Sequence, residues 1–353
     1  MNIQDYDYYA LGVSGGKDST ALLLWYKYMS GLPMSKLRLT TADTGNEDLL
    51  TYAYIDMLRD EIAPIERLQP MCGRVGERVP CDFSSLAVWK KRFPSRRARF
   101  CTQWLKVIPS REYVAGLMHE GSSVHTVQVG DFDITTTGPM KHVLVLSGVR
   151  WEEGRASNTR GERASFEFDD GWMTDVYRPV IDWDIDDVWA IASEYLSLER
   201  VAQIIQDDPL LSEQHKRDLI ARQAAHGIPR NPLYDMGARR VGCFPCVNSV
   251  KREVRAMAKY RPQRIDEIER MECDVSAVSS VEYSSFFHRN TVPIAHRSKN
   301  ITTKEGEKMR VATIIDIVLW SKTRAFNPNQ FDFDPDFMEP PSVSACDIGG
   351  MCE

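Results

Sequence analysis

The run Tyr8 to Val13 is apolar, and Ser14-Gly15-Gly16-Lys17-Asp18-Ser19 follows it at once. A second apolar stretch then carries Leu22, Leu23, Leu24 and Tyr26 at helical spacing. A short buried strand, a glycine turn and a helix in that order constrain the chain more than any other feature. Two adjacent glycines let backbone N–H groups turn toward a ligand and let that ligand come close. The new helix adds unpaired N–H groups and its positive dipole end. The hydroxyls of Ser14, Ser19 and Thr20 can donate to phosphate oxygens, Lys17 supplies positive charge, and Asp18 can hold Mg²⁺. The spacing is not G-x-x-x-x-G-K-[ST], so this is not a Walker loop.

The same alternation continues. Strands are expected at 37–42, 62–68 and 143–149, and helices at 19–29, 47–61, 109–119 and 184–195, with Asp184 capping the last. Strand and helix alternating in this way imply a mainly parallel sheet with helices on both faces. Residues 196–227 read as an inserted helical hairpin, 231–250 as a Gly/Cys turn region, and 251–271 and 309–320 as helices. The expected organisation is a nucleotide-binding domain over 1–195, a helical insertion over 196–228, a Cys-x-x-Cys-bearing region over 229–330 and a loose acidic tail over 331–353. No internal repeat is present.

Composition narrows the function classes. A formal net charge of -6 argues against a general polyanion binder, yet "WKKRFPSRRARF" at 89–100 is a local basic patch with aromatics interleaved. No 18-residue apolar run exists, and the acidic start MNIQDYDYYA lacks a signal-peptide pattern, so a cytoplasmic, non-membrane protein is expected. In that compartment the eight cysteines should be thiols or metal ligands rather than structural disulfides. Cys72 and Cys81, in "MCGRVGERVPC", read as ordinary thiols or as a loose metal turn. Cys243 and Cys246, separated by Phe and Pro, suit either one metal centre or a redox dithiol. Asp43 follows a strand at the edge where open α/β sheets bind ligands, and suits Mg²⁺, a ribose hydroxyl or an Asx-turn. The seven histidines form no metal spacing.

The segment SGGKDS resembles the PP-loop of the ATP pyrophosphatase superfamily. "ADTGNEDLLTYAYIDML", "LSGVRWEEGRASNTR", "YRPVIDWDIDDVWAI" and "NPLYDMGARRVGCFPC" resemble, in the same order, segments of its phosphoadenosine phosphosulfate (PAPS) reductase-like family, cluster-bearing branch. The likeness extends to Dnd-type phosphorothioation sulfurtransferases and to phage and bacterial PAPS reductase-like proteins. It implies a Rossmann-like, adenine nucleotide alpha hydrolase-like fold. It also implies ATP and Mg²⁺ at the loop, with Lys17 and Asp18 in catalysis, and Asp43, Gly148, Arg150 and Arg160 as further nucleotide contacts. It implies a [4Fe–4S] cluster on Cys101, Cys243 and Cys246, with Cys273 as a fourth ligand. The ending "CDIGGMCE" resembles a C-terminal ending of such proteins, which implies Cys346 and Cys352 either as mobile thiols that visit the site or as free tail cysteines.

Two activities fit this resemblance. One is adenylation of an acceptor, a nucleic acid among the candidates, for sulfur transfer from a cysteine desulfurase or thiol donor protein. The other is sulfonucleotide reduction with release of sulfite. The intact loop favours the first, because the assimilatory reductases carry an altered loop with Phe inside it. A nonenzymatic ATP- or metal-binding module is the third reading.

Overall fold

The computed structural model describes residues 2–74, 77–121, 124–129, 132–137, 140–153, 163–167, 173–287, 291–303 and 306–323. The chain opens with β1 (Tyr8–Gly12), α1 (Lys17–Tyr28), β2 (Leu37–Ala42), α2 (Leu49–Glu61) and β3 (Ile65–Leu68). A small hairpin, β4 (Met71–Cys72) and β5 (Val79–Pro80), leads to α3 (Phe83–Trp89), α4 (Phe100–Thr102) and α5 (Ile108–His119). A second hairpin, β6 (Val124–Val129) and β7 (Phe132–Thr137), precedes β8 (Val143–Leu146), β9 (Arg163–Glu167) and β10 (Met173–Tyr177).

The main sheet has the order β3-β2-β1-β8-β10-β9. Five strands run parallel, and β9 closes one edge antiparallel to β10. This is the expected α/β Rossmann-like architecture. Leu11 pairs with Leu39 on one side and Leu146 on the other, so β1 is central. Its run is apolar throughout because both faces are covered. Tyr9, Leu11, Leu144 and Leu146 pack with α1 and α2, while Tyr8, Ala10, Val143 and Val145 pack on Val114 and Met118 of α5. The chain steps outward from β1 to β3 and then returns to β8 on the other flank. The strand order therefore reverses between β1 and β8, and crevices of open sheets form at that point, beyond the carboxyl ends.

The rest is helical: α6 (Ile185–Tyr195), α7 (Leu198–Asp207), α8 (Glu213–His226), α9 (Leu233–Met236), α10 (Lys251–Tyr260) and α11 (Gln263–Val278). A last hairpin, β11 (Lys299–Thr302) and β12 (Lys308–Val311), precedes α12 (Ile314–Lys322). Asp184 caps α6 by accepting from the amides of Asp186 and Asp187, as its sequence position suggests. Residues 251–271 are not one helix: Arg261-Pro262 divides it, because proline lacks the N–H that would continue the ladder and disfavours helix at the residue before it. The stretch expected as a helix over 309–320 begins instead in β12, where β-branched Val311 pairs with Lys299. A second core, separate from the sheet, joins α3, α10, α11 and α12 through Phe83, Leu86, Met257, Ile268, Phe286 and Ile317.

The cysteine expectation needs one correction. Cys72 and Cys81 form a disulfide, with their α-carbons 5.6 Å apart. Cys72 pairs in β4 with Val79, and Cys81 directly follows β5, so the hairpin itself brings the two sulfurs together. Both are buried in the second core.

Candidate functional site

A cleft opens at the reversal point. Its walls are the carboxyl ends of three strands: Gly12 to Ser14 after β1, Thr40 to Ala42 at β2, and Leu146 to Val149 at β8. Ser19 and Leu22 of α1, Glu47, Tyr52 and Ile55 beside α2, Lys106, Ser110 and Gly242 complete the lining.

From the glycine loop, Ser14 and Ser19 line this cleft. Their hydroxyls are 3.1 Å apart, and the Ser14 hydroxyl accepts from the Gly16 amide at 3.2 Å. The other loop residues build the frame. Gly15 has φ +74, and a β-carbon there would meet Ile55 and Thr51 at 3.2 Å. Its carbonyl accepts from the Asn231 side-chain amide at 3.2 Å. Gly15 thus makes the turn and packs tightly on α2, rather than only opening space for a ligand. Gly148 lines the cleft and does the equivalent at β8: a β-carbon would lie 3.0 Å from the Asp18 carbonyl. The Lys17 amide donates to the Tyr234 hydroxyl at 3.0 Å. The Asn-Pro-Leu-Tyr segment therefore clasps the loop from behind, which no local sequence signal indicates.

Asp18 and Arg150 sit differently from their expected roles. Asp18 is 2% exposed, and its two oxygens accept from Arg150 Nε at 2.6 Å and from the Lys17 ammonium. Arg150, also 2% exposed, bonds Glu152 at 2.7 Å and the Trp183 carbonyl at 3.2 Å. This buried network ties α1 to the β8 exit. Both Asp18 oxygens are engaged, so it does not stand open to a cation. Thr20 is buried inside α1 near Tyr54, away from the lining. Arg160, like Cys346 and Cys352, lies outside the described residues.

Asp43 makes the Asx-turn: its Oδ1 accepts from the Gly45 amide at 3.0 Å and from the Tyr52 hydroxyl at 2.6 Å. Burial and the neighbouring Glu47 and Asp43 raise the Tyr52 phenol well above its ordinary value. Ser147 is a lining residue that sequence reading missed. It is 2% exposed, and its hydroxyl has no hydrogen-bond partner among the described residues. An orphaned buried hydroxyl aimed into a cleft is a ready donor for a ligand. The Ser-Gly pair at the end of a buried strand was the available signal.

Among the thiols, Cys243 stands behind one wall of the cleft. Cys243 Sγ lies 3.4 Å from Thr44 Oγ1 and 3.9 Å from Glu47 Oε1, and Glu47 is a lining residue. Desolvation, with the Glu47 charge, pushes the Cys243 thiol up to about 12. Desolvation also raises Cys101, and Cys246, which is exposed, adds to that shift. Lys106 pulls all three back toward ionisation. The structure thus brings Cys101, Cys243 and Cys246 to one neighbourhood. Even so, among the described residues no group of three or more His, Cys, Asp or Glu is gathered so that it could hold a metal. Cys273 is exposed on α11, beside Tyr283 rather than these thiols. No helix among the described residues is long and apolar enough to cross a membrane.

No family model matches the chain. An uncharacterised 37.8 kDa protein from the gpa 5′ region of Escherichia phage 186 is 26% identical over 360 residues, covering 89% of this chain and 87% of that protein. The adenosine 5′-phosphosulfate reductase of Neisseria meningitidis serogroup A is 31% identical over 106 residues, 30% of either chain. The Candida glabrata FMN adenylyltransferase structure with FAD and inorganic pyrophosphate overlaps 54% of this chain and 50% of its own, at 10% identity and a TM-score of 0.30. Its complex with FMN and the ATP analogue AMPCPP gives 11% and 0.27. This chain thus spans about half the length of those solved structures, and the fold rests on its own strand order. Over most of its length, this chain is similar to the phage 186 protein and, over a shorter segment, to a sulfonucleotide reductase.

Proposed function

We propose that the chain is a nucleotide-utilising enzyme that binds ATP in the cleft and activates an acceptor by adenylation for sulfur transfer. One observation carries this reading: Ser14, Ser19 and Ser147 line one cleft at the sheet's reversal point, and the Cys243 thiol lies against Glu47 of its lining. The hydroxyls would donate to phosphate oxygens, and Lys106 would oppose their charge. Asp18 and Arg150 would act by positioning the loop. Asp43 fits a Mg²⁺ partner better than Asp18, because its Oδ2 accepts no hydrogen bond among the described residues. Mg²⁺ held there with phosphate oxygens would stabilise the charge on departing pyrophosphate.

An acceptor oxygen attacks the α-phosphorus, the bond to the bridging oxygen breaks, and pyrophosphate leaves with that electron pair. The acceptor oxygen then departs as AMP when a sulfur nucleophile attacks the atom that bears it. Adenylation suits this step because oxide is a poor leaving group and AMP a good one. The sulfur would travel on Cys243, behind the cleft wall, or on Cys346 or Cys352, supplied by a cysteine desulfurase or thiol donor protein. Cys101, Cys243 and Cys246 are not gathered as a ligand set among the described residues, so no step is routed through a cluster.

The identity to the Neisseria reductase favours a second reading, in which a thiolate attacks the sulfur of a sulfonucleotide and sulfite is later released. One pair of measurements separates the two. Calorimetry should detect Mg·ATP binding to the full chain, and adenosine 5′-phosphosulfate with dithiothreitol should yield no sulfite. Rapid sulfite release without ATP would replace the first reading with the second. Failure to bind either nucleotide would remove both.

A further inference from the structure

Between Asp82 and Glu112 the chain carries eight Lys and Arg and no acidic residue, within a protein of formal net charge -6. Opposite charges are normally interspersed on a soluble surface, so this segregation marks a positive field. Lys91, Arg92, Arg96 and Arg97 are exposed, and none forms an ion pair among the described residues. Arg92 stacks over the ring of Phe100, at 5.6 Å.

The backbone holds a cation where another residue would be easier. The α3 helix ends in a Schellman closure, with the Lys91 amide donating to the Val88 carbonyl at 3.0 Å and the Arg92 amide to that of Ala87 at 3.1 Å. Lys91 takes the left-handed position of that motif at φ 58. Glycine occupies such a position freely, and a β-carbon disfavours it. Aromatic faces accompany the charge. Trp89 is 39% exposed and stands edge-on to Trp104 with ring centroids 4.9 Å apart. The Lys90 ammonium lies 3.9 Å and 4.5 Å from those two centroids.

This surface continues inward. Arg99 is the N-cap residue of α4, the short helix that carries Cys101. Lys106, further along the same helical run, lines the cleft itself. Exposed cations, then Arg99, then Lys106 make a path from the surface to the candidate nucleotide site.

We infer that the surface from Trp89 to Arg99 binds a single-stranded nucleic acid and leads its backbone toward the cleft. Cations track the phosphates, and an exposed indole offers a face to an unpaired base. The inference names the acceptor class of the proposed reaction and rests on that reading for the chemistry, although the binding itself does not.

Fluorescence anisotropy of a short labelled single strand, with the full chain over a salt series, tests it. Replacing Lys91, Arg92, Arg96 and Arg97 together by Ala should weaken binding at least about tenfold, and should flatten the log–log salt slope by about 0.7 for each phosphate left without its cation. Trp89→Ala should weaken single-strand binding about fivefold or more while leaving heparin binding unchanged. Lys91→Gly should raise the melting temperature and still weaken binding, whereas a merely structural lysine would show the first effect alone. An unchanged affinity and slope in the quadruple variant overturns the inference. So does equal loss of heparin binding in Trp89→Ala, or binding of phosphatidylserine vesicles without binding of the strand. Mg·ATP calorimetry on the same samples separates the two claims: strand binding without ATP binding sinks the proposed function alone, and ATP binding without strand binding sinks this inference alone.

Discussion

Ser147 is the cleanest residue at which to probe the cleft. Its hydroxyl bonds nothing among the described residues, so Ser147→Ala takes away no hydrogen bond that the fold uses there. Stability should change by less than about 0.5 kcal/mol, while nucleotide affinity should fall about fivefold to tenfold if the hydroxyl serves a phosphate or ribose oxygen. Calorimetry and a urea melt on one sample check both. Asp18 is a poor probe by comparison, because it holds buried Arg150. Asp18→Ala should destabilise, because the buried Arg150 guanidinium loses its buried carboxylate partner and keeps only Glu152 and the Trp183 carbonyl, so weakened binding in that variant would mix folding with function. Lys17 is more exposed, and Lys17→Ala should leave the melt nearly unchanged.

At the scale of elements, two buried charges join helices across the second core. Arg261 follows α10 and is 1% exposed. It reaches Asp48, the cap of α2, at 2.7 Å and 2.9 Å, and Asp208, past the end of α7, at 2.5 Å. Arg261→Met should destabilise by roughly 3–5 kcal/mol, because two buried carboxylates lose their partner. Restoring part of that loss with Asp208→Asn in the same chain would confirm the cause. Glu272 of α11 is fully buried and accepts from the Tyr283 hydroxyl and from the Phe286 and Ile314 amides. Desolvation outweighs those donors and pushes its carboxyl up to about 6 from 4.5. A raised acid pKa means that folding takes up a proton between those values. The contribution of Glu272 is therefore full below about pH 4.5 and is lost as pH rises through about 6. Relative to Glu272→Gln, the wild type should lose about 2 kcal/mol of stability across that window. A flat difference between the two melts would show that the carboxyl titrates normally.

At the scale of the whole molecule, the Cys72–Cys81 disulfide braces the chain beside the site. Cys81 leads into Asp82 and Phe83, and the Phe83 amide donates to the Thr44 carbonyl at 2.7 Å. Thr44 in turn holds Glu47 and touches Cys243. The closed loop spans a sequence separation of 9, and closure of a loop near that length contributes about 2–3 kcal/mol in the chain-entropy picture. Cys72→Ser should lower stability by that amount. Alkylation of the unreduced, denatured protein should leave Cys72 and Cys81 unlabelled, and labelling at both would show that the bond does not form in the cell that made it.

The sheet was legible in the sequence because its signals are local. A doubly covered strand must be apolar on both faces, and Tyr8 to Val13 says so without any neighbour. Gly15 declares its turn, and Asp184 its cap, within a few residues. Strands β9 and β10 and the small hairpins were not legible, because such short segments carry little periodicity. Pairings between distant segments needed the folded chain. Nothing near Ser14 announces that Tyr234 and Asn231 clasp the loop, or that Asp18 is committed to Arg150 across 132 positions. The register of the β4–β5 hairpin decided that Cys72 meets Cys81, and composition does not encode that register. The amino-acid sequence determines which groups are available and what each can do. The tertiary structure decides which of them face the cleft, because burial leaves a polar group only the partners that packing brings within reach.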